Sequence, residues 1–351
     1  MPVLQETQLL EFGVSLLAAG GANEHEAAVV GRSLVQANLR GHDSHGVMRI
    51  PFYIKQVQDG KLNAGSTLQV VHETSGSVVG DGNWGFGQVL SRDLTERLIE
   101  KAGEAGIASG SLRQSAHIGR LGEYAEMAAE KNMSAIICAN THGAAQRVAP
   151  VGGKRPRLGT NPICIGMPGG KDGPFVLDFG TSAKAEGKVR VKKIAGEKVP
   201  DGWVLDPEGN PTNDPNQLYG DPPGTILPMG GDQAYKGFGL SFMIEMLCGA
   251  LSGSPCAYPN PPAPVGNAAF FIVINPSQYA GFEHLKTEVE NLEEYVRSVP
   301  RIDGVDEIFL PGDPERRVMA TRQESGIPLD AGNWNALLAL ATELGVTPPA
   351  V

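Results

Sequence analysis

The chain has 351 residues, of which 41% are hydrophobic and 19% charged, enough to bury a large core in one α/β body with an added lobe or in two to three domains. Its formal net charge of -10 argues against a nucleic-acid or anionic-membrane partner, since either needs a clustered basic face. The one basic run, Gly153-Lys154-Arg155-Pro156-Arg157, is short and reads as a solvated turn.

From Gln5 to Ala19 the residues Leu9, Leu10, Phe12, Leu16 and Leu17 fall on one helical face, and Gly20-Gly21 stops the helix. Asn23 with Glu26 forms a capping box for a second helix that ends at Gly41. Leu68 to Val79 alternates like a strand, Gln88 to Ala105 has helical periodicity, and Ile107 to Leu112 reads as strand. A helix from Gly119 to Lys131, strands at Ala135–Ala139, Ile163–Met167 and Phe175–Phe179, and a helix from Ser182 to Ile194 give an α/β middle section. Gly196 to Pro228, dense in Pro, Gly, Asp and Asn, reads as an extended surface loop. A helix at Gly237–Leu251, a proline-rich linker at Pro255–Pro264, a buried strand at Ala268–Asn275, an amphipathic helix at Phe282–Val299 and one tail helix capped near Asp330 complete the chain. The expected division is an N-terminal helical segment over 1–66, a central α/β region over 67–254, and a C-terminal segment over 255–351 that packs back on the body.

Cys138, Cys164, Cys248 and Cys256 form no CxxC pair, and most sit in or beside apolar runs, which suits a reducing compartment. The start MPVLQETQLLEFG has no basic leader region and no apolar run reaches bilayer length, so the expectation is a cytoplasmic protein.

Gly80-Asp81-Gly82-Asn83-Trp84-Gly85 matches the dinucleotide fingerprint G-x-G-x-x-G. The strand ahead is short, and Trp84 puts a bulky ring where the chain should hug a pyrophosphate, so the run reads as a structural strand-to-helix turn. The stretch GHDSHGVMRIPFYIKQ, Gly41 to Gln56, carries more chemistry. A metal reading of His42, Asp43 and His45 lacks a second recognisable ligand cluster, so no metal is expected, although a metal-dependent hydrolase or lyase is the alternative from another class. In an acid–base reading His45 sits at the mouth of a helix beginning near Gly46, with Arg49 one turn along the same face. A histidine passes a proton near neutral pH, and a guanidinium grips a carboxylate in bidentate fashion. Ser115 to Gly119 adds a second histidine before a helix, and Ala149 to Gly153 and Leu158 to Pro162 are backbone-rich loops at strand ends, where α/β proteins bind ligands.

Together these segments resemble the type-2 malate/L-lactate dehydrogenase family: Asp43-Ser44-His45-Gly46 with Arg49 and Pro51, Ser115–Gly119, Ala149–Gly153 and Leu158–Pro162. Leu177–Ser182 with Gly187-Lys188-Val189, Lys236–Leu240 and Pro311–Glu315 complete the set, in family order over nearly the whole chain. The resemblance implies a mixed sheet with flanking helices that binds a nicotinamide outside a Rossmann fold, a helical N-terminal segment, and a homodimer or higher homo-oligomer. It implies a catalytic set of His45 as proton donor to the carbonyl of a 2-oxo acid, Ser44 orienting it, His117 across the site, and Asp178, with Arg49 and Thr160 binding substrate. Asp178, Phe179, Gly180, Thr181, Tyr235, Lys236, Gly312, Asp313 and Glu315 line the cofactor in this reading, NAD ahead of NADP. A cyclic-imine carboxylate is the alternative substrate. The chain departs from the family pattern at Ile118 and Gly180, which points to altered substrate size, and Arg120 is a candidate second anion contact.

Overall fold

A computed structural model describes residues 2–261 and 264–350; within the expected linker, residues 262 and 263 lie outside the described residues. The elements run β1 (Val3–Leu4), α1 (Glu6–Ala19), α2 (Glu24–Leu39), α3 (Ile50–Gln58), β2 (Gln69–Glu73), β3 (Ser77–Asp81), α4 (Gly87–Ala105), β4 (Ile107–Ser115), α5 (Gly122–Ala129), β5 (Ser134–Asn140), β6 (Pro162–Met167), β7 (Phe175–Gly180) and α6 (Glu186–Ala195). They continue with β8 (Val204–Leu205), β9 (Pro211–Thr212), β10 (Thr225–Ile226), α7 (Ala234–Glu245), β11 (Asn267–Ile274), α8 (Phe282–Arg297), α9 (Asp313–Ser325), β12 (Ile327–Pro328) and α10 (Ala331–Leu344).

The main sheet has seven strands in the order β2-β3-β4-β11-β5-β6-β7, and only β3 and β4 pair in parallel. Period-two alternation gives the sheet two different faces. Ala269, Phe271 and Val273 of β11 pack into a core with Leu90, Leu94 and Leu98 of α4 and Tyr124 of α5. Their neighbours Ala268 and Phe270 face α7 and the turn that follows it, against Ile244 and Cys248. The fold class is therefore the expected mixed α/β sheet with flanking helices. Strand β11, late in the sequence, occupies the centre of the sheet.

The first three helices share a second core with the last one, through Leu16, Leu34, Ile50 and Leu337, and β1 pairs with β12 beside it. The capping box of α2 forms as expected, with Glu26 N–H donating to Asn23 Oδ1 and Asn23 N–H to Glu26 Oε2, both at 2.9 Å. Its second oxygen accepts from Gly65 N–H at 2.6 Å, which satisfies a buried carboxylate.

Several elements differ from the sequence reading. The single strand expected over Leu68–Val79 is a hairpin, β2 and β3, because Thr74 and Ser77 close a turn in its middle. The expected loop from Gly196 to Pro228 contains a three-stranded sheet, β10-β8-β9, whose Val199, Val204, Leu218 and Ile226 form a small core with Val148 and Val189. Strands of two residues are too short to show a period. The helix expected from Gly46 is preceded by two 3-10 turns, Asp43–His45 and Val47–Arg49, and the α-helix starts at Ile50. Helix α9 was not expected, since polar and charged residues occupy most of its length and leave no apolar stripe.

Phe271 has no exposed surface and sits on the central strand against Tyr124 at 5.9 Å between ring centroids. Phe271→Ala is expected to lower unfolding stability by about 3–5 kcal/mol, read from the midpoint of a denaturant titration.

Candidate active site

The turn that carries the first histidine is fixed from below. Asn38 on α2 accepts from Val47 N–H at 2.9 Å and donates to Asp43 at 2.7 Å, and Asp43 is gripped by Arg322 of α9 at 2.6 and 3.0 Å. Glycine is required at position 46, where a Cβ would stand 2.1 Å from Asn38 Oδ1. Arg49 donates from Nε to the Ser44 carbonyl at 2.7 Å, and Ser44 Oγ lies 3.0 Å from His45 Nδ1. The free nitrogen of His45 is therefore Nε2.

The second histidine arrives on the loop after β4. Gly87 opens α4 where a Cβ would meet the Ala116 and His117 carbonyls at 2.4 and 2.5 Å, so the helix N-terminus packs directly on the histidine loop. The glycines of the G-x-G-x-x-G run are filled by protein in the same way, Gly80 by Leu68, Gly82 by Leu90 and Gly85 by Ser66. The His45 and His117 rings stack with centroids 5.4 Å apart and planes at 28°.

A hydrogen-bond chain sets the tautomer of His117. Gln88 Nε2 donates to Tyr53 Oη at 2.9 Å, so the phenol proton goes to His117 Nδ1 at 2.7 Å. Gly119 N–H points to the same nitrogen at 3.3 Å. His117 thus carries its proton on Nε2 and presents a donor. Burial pushes Tyr53 up to about 12, against the pull of Arg49 and Gln88, which keeps it a phenol.

Burial and the neighbouring cations set the electrostatics together. Burial, then the charges of Arg49, His42 and Arg120, push His45 down to about 3. Burial, Arg49 and His45 likewise hold His117 well below the usual histidine value. Both imidazoles are neutral at pH 7. Among the described residues no carboxylate lies within ion-pair distance of Arg49, so its charge is open to a ligand anion.

Beside the pair lies a cleft of about 300 Å³, lined among others by His42, Arg120, Glu126, Asp178, Gly312 and Glu315. Asp178 accepts from Gly122 N–H at 2.8 Å, and burial raises it despite the pull of Arg120, that N–H and His42. His42 Nε2 lies 3.3 Å from Glu315, which holds Glu315 below the usual carboxylate value.

The structure thus brings together Ser44, His45, Arg49 and His117 in one group, and Asp178, Gly312 and Glu315 in the adjoining cleft. It does not gather the remaining expected cofactor residues there. Phe179 follows Asp178 on a strand and so faces the α7 side of the sheet, in register with Ile163. Tyr235 and Lys236 are exposed in the first turn of α7, on that same side. Thr160 and Thr181 meet at the strand ends, where Thr181 N–H donates to Thr160 O at 2.9 Å, and Gly180 lies against that carbonyl. Asp313 spends both oxygens inside the protein, on Arg297, Leu310 N–H and Arg316, so it anchors the Gly312–Glu315 turn. Arg120 is buried against Glu126 at 2.6 Å rather than open to a second anion. Ile118 has its side chain in the α4–α5 core, away from the imidazoles. His42 and Asp43, the centre of the metal reading, are engaged with Glu315 and Arg322. Tyr53 and Gln88 were missed; the available signal was that Tyr53 lies one helical turn beyond Arg49, masked by its apolar neighbours Phe52 and Ile54.

Comparison with known proteins places this geometry in context. The profile of the malate/L-lactate dehydrogenase family matches residues 4–338. The chain is 37% identical to hydroxycarboxylate dehydrogenase B of Escherichia coli (strain K12) over 93% of its own length and 90% of that protein. Its structure is similar to sulfolactate dehydrogenase from Methanocaldococcus jannaschii, with a TM-score of 0.88 at 33% identity, covering 99% of this chain and 98% of that one. It is also similar to delta1-piperideine-2-carboxylate reductase from Pseudomonas syringae pvar. tomato, with a TM-score of 0.84 at 29% identity, covering 97% and 100%.

Removing the Arg49 charge is expected to raise the His45 titration. In Arg49→Gln the His45 midpoint moves up from about 3 towards the ordinary histidine value, measured by NMR of the imidazole carbons across pH.

Proposed function

The chain belongs to the malate/L-lactate dehydrogenase family of nicotinamide-dependent oxidoreductases, and from that premise we propose that it transfers a hydride between NAD(P)H and the carbonyl of a small 2-oxo acid, or in reverse oxidises a 2-hydroxy acid. The observation that carries this reading is the unpaired Arg49 guanidinium beside two neutral, stacked imidazoles. A substrate needs a carboxylate for the first and an oxygen that gains or loses a proton for the second.

The adjoining cleft suits a dinucleotide by the chemistry of its groups. Asp178 and Glu315 would accept from ribose hydroxyls, and Gly312, at φ 93, makes the left-handed turn that starts α9 at the edge of the cleft. Its arginines are already paired, Arg40 and Arg120 with Glu126 and Arg316 with Asp313, so the free charge favours NAD over the extra phosphate of NADP. Bound there, the nicotinamide supplies or accepts the hydride.

The protein's own groups do the rest. Arg49 holds the substrate carboxylate, and neutralising its charge raises the basicity of His45 in the complex. His45 Nε2 gives its proton to the carbonyl oxygen during reduction and takes it back during oxidation, with Ser44 orienting the ring. The Nε2–H of His117 hydrogen-bonds the same oxygen as negative charge develops on it. An imine nitrogen accepts the proton equally well, and the likeness to the piperideine-2-carboxylate reductase supports a cyclic-imine carboxylate as the second candidate substrate.

The assembly proposed is a homodimer, supported by exposed Phe242 and Met243 on α7 and by Ile165 and Leu177 on the same side of the sheet. A cytoplasmic setting is supported by four unbridged cysteines, and no helix among the described residues is long and apolar enough to cross a membrane.

The test is turnover of NADH and NADPH with a panel of 2-oxo acids and one cyclic imine, in wild type and His45→Ala. Loss of a proton donor is expected to lower kcat by about 10²–10⁴-fold, and consumption of neither cofactor would overturn the reading. The pH dependence has a definite sign. Because free His45 titrates near 3, kcat/KM for reduction is expected to fall about tenfold per pH unit above that value, while oxidation shows no acid limb near 6.5.

A further inference from the structure

Beneath the imidazoles runs a chain of hydrogen bonds that the reaction above does not use. Ile118 N–H, next to His117, donates to Asn267 Oδ1 at 3.0 Å, and Asn267 Nδ2 donates to the Asn140 carbonyl at 2.7 Å. Asn267 can reach both because the β4–β11 ladder is bulged between Asn267 and Ala269, which re-aims the side chain. Asn140 Nδ2 then donates to Glu245 Oε1 at 3.0 Å, and Asn161 Nδ2 donates to Glu245 Oε2 at 2.7 Å. Ala257 N–H supplies a third bond to the carboxylate at 2.9 Å. Beyond Asn161 the chain continues into the other loop, since the Asn161 carbonyl accepts from Thr181 Oγ1 at 3.0 Å and the Thr160 carbonyl from Thr181 N–H at 2.9 Å.

Glu245 is an unusual group to find at this node. It is 4% exposed and, among the described residues, makes no ion pair. A buried carboxylate without a cation is costly. Three N–H groups converge on it, so only an acceptor with two open oxygens satisfies them all. Burial pushes Glu245 up, and the bonds from Asn161, Asn140 and Ala257 oppose that. Asn161 is held at φ 20, a conformation that needs support from its surroundings.

We propose that Glu245 is a positioning residue for the hydride-transfer site: its carboxylate fixes the separation of the His117–Ile118 loop from the Thr160–Asn161 loop. This rests on the function proposed above, and Glu245 acts through the two loops. Misplacement of reacting groups by about 1 Å costs on the order of 10²-fold in rate.

The decisive variant is Glu245→Gln, which keeps size and shape but turns one accepting oxygen into a donor facing another donor. The full-length protein is measured three ways: kcat and KM for 2-oxo acid reduction, thermal midpoint, and the ring ¹H–¹⁵N signals of His117. Expected are a fall in kcat of about 10- to 100-fold, an unchanged KM for the cofactor, a folded protein, and a shifted His117 signal. Asn161→Ala serves as the second variant should Glu245→Gln not fold. It removes one arm only, and a selective kcat loss with a shifted His117 signal is again expected. Where both fold, their double variant should lose no more activity than the worse single one. Wild-type kcat in folded Glu245→Gln, or an unmoved His117 signal, overturns the proposal, as does a double variant whose losses multiply. Inactivity of the wild type overturns the functional reading instead, and the His117 signal still decides the role of Glu245.

Discussion

The arrangement depends on a single uncompensated charge. Arg49 is a guanidinium set among protein with no carboxylate in ion-pair distance among the described residues, and its field reaches both histidines. Burial alone disfavours a charge on either imidazole and the Arg49 charge adds to it, so His45 and His117 give up their protons. The site is therefore strained electrostatically until an anion arrives. Under the proposed function a substrate carboxylate would relieve Arg49 and, by the same act, return His45 towards a range in which it can hold a proton, which would couple binding to readiness for proton transfer.

Much of the scaffold serves to keep that charge and those rings in place. Asn38 and Arg322 hold Asp43 from α2 and α9, so the first-histidine turn is tied to elements from both ends of the chain. The close approach at Gly87 lets α4 pack on the His117 loop, and Gln88, the next residue, supplies the amide that orders Tyr53 and through it His117. Two neighbours on one helix thus set the position and the tautomer of the same ring. Placing β11 at the centre of the sheet has a related effect, because its first residue, Asn267, meets the Ile118 backbone only if β11 runs beside β4.

What the sequence disclosed follows from the range of each signal. The capping box of α2, the period of α4 and the continuous apolar run of β11 are local, and they lie within a residue or two of expectation. The motif Ser44-His45 with Arg49 is also local, so its residues could be grouped before any fold was known. The cofactor residues were read as one set because they share motifs, yet Asp178 and Phe179 point to opposite faces for the elementary reason that they are adjacent on a strand. Ile118 was weighed as a substrate contact from its place beside His117, whereas the turn aims it into the core. Tyr53, Gln88 and Glu245 carried no motif at all. Their importance lies in partners 64, 35 and 105 positions away in the chain, a distance over which no spacing rule operates.

The same bookkeeping of charges bears on how the site reads its substrate. Arg120, next to the second histidine loop, is read from sequence as a candidate grip for a second anion, but its guanidinium is buried against Glu126 and lies close enough to Asp178 for their charges to interact. Arg40 shares Glu126, and Arg316 is fixed by Asp313. Around the imidazoles and the cleft, Arg49 is thus the guanidinium without a carboxylate partner among the described residues, which under the proposed function would leave it for a single substrate carboxylate. Discrimination among such acids then falls to the shape of the space around that shared group. At the strand ends Gly180 lies against the Thr160 carbonyl, and any side chain there would begin 3.2 Å from it. A side chain at position 180 would therefore press on the Thr160–Asn161 loop.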